Sequence, residues 1–364
     1  MRSIVRISVV AALVAGVVGC GASSSAAPAS EQPRVAVIGM GGTIAGVGDS
    51  RVAVEKYRPG GRSVSDMVGE LQPEVGRIAQ VDPEDFGGTG KASGDYTLAD
   101  YYGLSTLIDQ RLQTHSAVVV TSGTASMSEL AYFLDLTVRS SKPVIVTGAM
   151  RPWTALGSDG PPNLYNAIRL AAGNRTACFG TVVTLNDQIF PARDVVKSDT
   201  LRLNTFTTRE YGDLGTIDEA GIRLQRSPAR ARSCADPTKW ATPFDLSTIE
   251  QSKLPRVEIV QGYVDAGGEA IDAAVAAGVR GIVFAGTPAP RQAEAGKVAA
   301  DKGITLVAAN SYGAGAVYAD LPGVISAGDL TPQKARILLQ LASAVSPDRN
   351  QISDWFRDLG NQQY

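Results

Sequence analysis

Two threonines follow glycines in settings that suit chemistry. Thr43 ends Met40-Gly41-Gly42-Thr43, and Thr124 ends Thr121-Ser122-Gly123-Thr124. A threonine hydroxyl is a weak nucleophile until a base or polarising partner assists it, and preceding glycines let backbone N–H groups approach a developing oxyanion. Composition limits the partners. The 364-residue chain has one histidine, His115, and three cysteines, too few for the usual zinc or haem sets and too few for histidine-driven catalysis. Hydrolytic chemistry must therefore run on hydroxyls, lysine and carboxylates. The glycines at 39, 41, 42 and 46 leave Ile44 where a dinucleotide-binding turn needs its third glycine, and neither a P-loop nor a G-x-S-x-G elbow occurs. Taken alone, Gly-Gly-Thr reads equally as a catalytic turn or an ordinary tight one.

Both threonines lie just past apolar runs that read as buried strands, Arg34 to Gly39 and Ala117 to Thr121. Further runs at Pro143 to Thr147 and Gly180 to Leu185 alternate with helical stretches. In one, Leu130, Phe133, Leu134 and Val138 share a face; another runs from about Asn163 to Ala172. This alternation predicts an α/β fold with a doubly wound, mainly parallel sheet, in which ligands bind beyond the carboxyl ends of the strands. The pattern breaks over residues 227–255, read as an interdomain connection. A second series follows at Val257 to Val260, Gly281 to Phe284 and Thr305 to Ala308, then a helix capped by Thr331 with Pro332 in its first turn. The expected organisation is an N-terminal α/β catalytic domain over 34–226 and a smaller C-terminal α/β domain over 256–364. The 34 basic and 36 acidic residues nearly cancel, which argues against an electrostatic nucleic-acid binder, and 44% hydrophobic with 19% charged residues is a globular composition.

Residues 1–20 read as an export signal: Arg2 and Arg6, an apolar run from Ile7 to Val18 too short to span a membrane, then Gly19-Cys20. Val17-Val18-Gly19-Cys20 also resembles a bacterial lipobox, with Cys20 as the lipid-bearing first residue of the mature chain, and residues 21–33 read as a flexible tether. The expected location is the outer face of the cell membrane as a lipoprotein, or the secreted fraction. Export into an oxidising compartment predicts a disulfide between Cys178 and Cys234.

A longer series of motifs speaks to function. Met40 to Gly46, Thr121 to Thr124, Ala131-Tyr132-Phe133-Leu134-Asp135-Leu136-Thr137, Gly148-Ala149-Met150-Arg151-Pro152, Asp159-Gly160-Pro161-Pro162-Asn163 and Leu185-Asn186-Asp187, in that order, resemble the secreted bacterial (type II) L-asparaginases. The resemblance runs from about Arg34 to the end, including Leu330 to Arg336. It implies a two-domain α/β fold, a homotetramer built as a dimer of dimers, and hydrolysis of a small-molecule amide to carboxylate and ammonia without metal or cofactor. Thr43 matches the nucleophile. Tyr57 matches the tyrosine of a mobile lid, here Gly46 to Arg62, and Thr124 with Lys197 matches a proton-relaying pair.

The departures fall on substrate recognition. The family's aspartate after the second threonine, which binds the substrate's α-ammonium and links threonine to lysine, is Ala125 here. Its Ser-Gln pair falls at about Gly90-Lys91, so Gly90, Lys91, Gly123 and Ala125 are the candidate substrate-binding positions. Two functions follow: an exported asparaginase-type amidohydrolase, or a catalytically impaired, lipid-tethered binding protein for amino acids or amides on the same scaffold. The vacancy at 125 predicts slow turnover of L-asparagine, and a gain of at least tenfold in kcat/KM in Ala125→Asp, about 1.4 kcal/mol. If L-asparagine is already preferred and that variant changes nothing, another acidic residue such as Asp95 or Glu129 fills the role.

Overall fold

The computed structural model describes residues 32–88, 90–318 and 321–360, so the leader, Cys20 and nearly all of the tether lie outside the described residues. The chain opens on β1 (Arg34–Gly39) and a lid hairpin of β2 (Val47–Gly48) and β3 (Tyr57–Arg58), followed by α1 (Val64–Glu70), β4 (Gln80–Asp85) and α2 (Leu98–Leu112). Next come β5 (Ala117–Thr121), α3 (Met127–Thr137), β6 (Val144–Thr147), α4 (Gly160–Ala172), β7 (Thr181–Leu185) and β8 (Gln188–Pro191). A short pair, β9 (Val196–Lys197) and β10 (Phe206–Thr207), precedes the hairpin of β11 (Gly215–Asp218) and β12 (Gly221–Leu224). These strands form an eight-stranded sheet in the order β12-β11-β8-β7-β6-β5-β1-β4, parallel from β4 to β7 and antiparallel beyond.

Alternation along the buried strands sends side chains to two cores. Ala36 and Ile38 of β1 and Val118 and Val120 of β5 pack with α2 and α3, whereas Val35, Val37, Ala117 and Val119 pack with α1 and α4. The neighbours β1 and β5 therefore send their next helices, α1 and α3, to opposite faces. Diverging connections leave a crevice at the carboxyl ends of that strand pair. Thr43 and Thr124 lie there.

After α5 (Pro237–Trp240), a second, parallel sheet of β13 (Val257–Gln261), β14 (Gly281–Ala285), β15 (Thr305–Ala309) and β16 (Ile325–Ser326) carries α6 (Glu269–Ala276) and α7 (Pro290–Asp301) on one face. Its other face packs on α8 (Pro332–Val345), whose Ile337, Leu338 and Leu341 join the core beneath α2 and α3; α9 (Arg349–Gly360) adds Ile352 and Phe356. The side-chain oxygen of Thr331 accepts from the Lys334 N–H at the start of α8, as its sequence predicts.

Cys178 and Cys234 form a disulfide with Cα atoms 5.5 Å apart, tying the turn after α4 to the segment before α5 across 56 residues. The Trp240 indole N–H donates to the Cys178 carbonyl at 2.8 Å and reinforces the same junction. Closing a loop of this length contributes about 4 kcal/mol in the chain-entropy model. Urea unfolding of a Cys178→Ser, Cys234→Ser double variant should show a loss of that order. Unfolded but unreduced parent protein should titrate no thiol from either residue; two reactive thiols there would contradict the bridge.

Candidate active site

The two glycine turns are pressed together. Gly41 and Gly42 have φ of 82° and 80°, a left-handed conformation costly for residues with a Cβ, and a Cβ on Gly42 would lie 2.4 Å from the Cα of Gly123. Tyr96 pins the contact, donating its hydroxyl to the Met40 carbonyl at 2.7 Å and accepting the Gly123 N–H at 3.1 Å. Burial pushes its phenol up, keeping it a neutral donor. The next residue on each turn is Thr43 or Thr124, so the touching glycines bring the two threonines to adjacent turns, Thr124 buried and Thr43 half-buried. One part of the sequence reading changes here: the Gly42 N–H is spent on the Lys91 carbonyl at 2.9 Å and the Gly123 N–H on Tyr96, so neither is free for an oxyanion.

Each threonine has a side-chain partner. Thr43 Oγ1 and the Tyr57 hydroxyl are 2.6 Å apart, and Lys197 Nζ donates to Thr124 Oγ1 at 2.8 Å. Tyr57 reaches Thr43 because β2 and β3 fold the lid back, pairing Gly48 with Tyr57, and because Gly46 lacks a side chain where the Tyr57 ring lies. The lid is fastened at both ends: Gly60 N–H to Gly42 O, Arg62 N–H to Ala45 O, Gly48 N–H to Thr154 Oγ1, and Leu156 N–H to Arg51 O. Lys197 arrives on β9. The carbonyls of Arg193 and Val195, just before it, accept the buried Lys334 Nζ at 2.7 and 2.6 Å, while the Arg193 guanidinium grips Asp329 and the Gly360 carbonyl.

Several quoted motifs brace rather than react. The Asp159 carboxylate accepts the N–H groups of Met150 and Arg151, and Asn163 donates to Gly148 O and accepts from Asn186 N–H. His115 sits against Asp82 and the Arg111 carbonyl, before β5. Arg193 and Arg230 line a separate cavity of about 560 Å³ and are engaged by Asp194, Asp329 and Asp135.

The cavity beside Thr43, about 260 Å³, is lined by Gly42, Thr43, Glu55, Tyr57, Pro59, Ala92 and Ser93. Gly90 and Lys91 are not in that lining: Lys91 lends its carbonyl to Gly42 and turns its ammonium to Asp100 at 2.6 Å. Ala125 is exposed and borders a neighbouring hollow of about 320 Å³ with Ser93, Ser126, Glu129 and Arg336. Glu129 faces Arg336 at 3.9 Å, and Asp95 accepts the Ala92 N–H. Sequence reasoning missed Tyr96, Lys334 and Glu55. No local pattern marks a bridging tyrosine or a buried lysine, and Glu55 looks like any lid charge.

Comparison with known proteins fits this arrangement. Residues 34–230 match the family model described as Asparaginase, N-terminal, and residues 256–356 match the Glutaminase/Asparaginase C-terminal domain. The chain is similar to "L-asparaginase 2" of Bacillus subtilis, at 37% identity covering 92% of this chain and 89% of the relative. It is also similar to "L-asparaginase 2" of Escherichia coli, at 37% identity covering 89% and 92%. The solved structure of a probable cytoplasmic L-asparaginase from Campylobacter jejuni superposes with a TM-score of 0.83 at 34% identity, covering 90% of this chain and 99% of that one.

Burial pushes the Lys197 ammonium down from the usual lysine range, with the nearby Asp199 carboxylate opposing it. A lowered value means the neutral amine is populated at lower pH than in free lysine. An NMR titration of Lys197 should therefore give a midpoint below about 10.4. In Asp199→Asn, which removes the opposing charge, the midpoint should fall further; a rise would contradict the assigned cause.

Proposed function

This chain belongs to the asparaginase family and is an asparaginase-type amidohydrolase, and we propose that it acts on L-asparagine or a related small amide through Thr43. The observation that carries this reading is the pairing of both hydroxyls, Thr43 with Tyr57 and Thr124 with Lys197, on two touching turns. Thr43 Oγ1 attacks the amide carbon while its proton passes to Tyr57, 2.6 Å away, which hands its own phenolic proton on to the amide nitrogen. Collapse breaks the C–N bond, the nitrogen leaves as ammonia with that proton, and the acyl group remains as an ester on Thr43. Water then attacks the ester carbonyl, one of its protons passing toward Thr124 and Lys197; collapse breaks the bond to Thr43 Oγ1, which takes a proton back through Tyr57, and the acyl group leaves as the carboxylate. Lys197 suits the relay because burial disfavours its charged form.

In this reading residues 1–20 export the chain, Cys20 carries a lipid anchor, and the mature protein assembles as a homotetramer. Ala125 favours a second reading, an impaired enzyme that binds an amide at the cell surface without hydrolysing it. A pure binder has no use for a nucleophile and a lysine relay, which favours the enzyme.

Thr43→Ala should abolish ammonia release from a panel of small amides. It should leave the unfolding temperature within about 2 °C of the parent, since one half-buried hydroxyl contributes roughly 1 kcal/mol. Full activity in that variant would remove Thr43 from the mechanism. A parent that binds an amide and releases no ammonia from any member of the panel would support the binding protein.

A further inference from the structure

The cavity that contains the Thr43 and Tyr57 hydroxyls has one charged group in its lining, Glu55. Its other walls, Pro59, Ala92, Ser93 and Gly42, are neutral. The Glu55 carboxylate has no hydrogen bond or ion pair among the described residues, although Arg51, Lys56 and Arg58 lie on the same lid. It is not a loose tail. Leu156 N–H holds the Arg51 carbonyl on one side of it, and the pairing of Tyr57 with Gly48 fixes the other.

Of the other acidic groups, Asp49 on the same lid also has no partner among the described residues but is not in this cavity's lining, and three more are committed elsewhere. Asp95 caps the Ala92 N–H, Asp100 holds Lys91, and Glu129 faces Arg336 in the adjoining hollow. Glu55 is exposed, so its carboxylate is solvated in the free protein; a ligand cation bound in the cleft displaces water from between the two charges, which strengthens their attraction.

The geometry points to Glu55 as the specificity-determining carboxylate of the lid, selecting small amides that carry an ammonium group near the scissile amide. This rests on the amidohydrolase reading. The lid that delivers Tyr57 to the nucleophile thereby also delivers the countercharge for the substrate. Closure over an amide without a cation would leave Glu55 with nothing to pair.

The test compares kcat/KM for L-asparagine and for succinamate, which has the same amide and carboxylate without the α-ammonium. Parent, Glu55→Gln, Glu55→Lys and Ala125→Asp are measured together, with calorimetric binding of both amides to each. The parent should prefer L-asparagine. Glu55→Gln should lower the ratio of the two kcat/KM values at least tenfold, about 1.4 kcal/mol, with most of the change in KM, and Glu55→Lys should lower it further. An unchanged ratio in both Glu55 variants overturns the proposal. So does a gain for L-asparagine in Ala125→Asp while Glu55→Gln is silent, which assigns the ammonium to position 125. If no variant releases ammonia from either amide, the amidohydrolase reading fails by itself. The binding constants then decide Glu55: a tenfold loss of preference for L-asparagine in Glu55→Gln supports it, and an unchanged preference overturns it.

Discussion

The site depends on one close contact, the backbone of Gly42 lying against the backbone of Gly123. A methyl group on Gly42 would sit 2.4 Å from its neighbour, so the contact admits glycine alone. The contact is possible because β1 and β5 are adjacent, parallel and in register from Val35 with Ala117 to Gly39 with Thr121, so their exit turns leave side by side. A shift of one residue in that register would move the two exit turns out of alignment. Tyr96 then bridges the turns with two hydrogen bonds and fixes their spacing from the side of the 92–97 segment.

The two hydroxyls receive their partners by different routes. Tyr57 is local, 14 residues from Thr43, and arrives on a hairpin fastened by four backbone N–H groups. Lys197 comes from 73 residues beyond Thr124, on a two-residue strand that could not hold a position by itself. It is held from the C-terminal half. Lys334 of α8 donates to two carbonyls of the approach segment, and Arg193 binds Asp329 and the end of α9. Burial pushes Lys334 down to about 7, while Asp329 holds the Arg193 guanidinium charged against the same burial. The second sheet thus contributes to the site through α8, by positioning Lys197.

The sequence made the inner parallel strands legible because they are buried on both faces and so read as unbroken apolar runs, as in Ala117 to Thr121. Gln80–Asp85 escaped notice. It is an edge strand paired with β1 alone, and it tolerates three acidic residues and Pro83 where an inner strand would not. Thr43 and Thr124 were legible from their glycines and strand ends. Tyr57 and Lys197 emerged only from the family resemblance, since a lid tyrosine and a distant lysine leave no local signature. The substrate side was the least legible: the cavity wall falls on Ala92 and Ser93 rather than Gly90 and Lys91, and the free carboxylate sits on the lid. Loop conformation sets those positions, and glycine-rich loops encode it weakly.

Whether Thr43 carries the acyl group can be read most directly by chemical quenching during turnover followed by mass mapping of the peptides. The peptide containing Thr43 should gain a mass equal to the acyl group, and the gain should disappear when substrate is exhausted. An acyl group found on Thr124, or steady ammonia release with no acylated peptide at any quench time, would contradict acylation at Thr43.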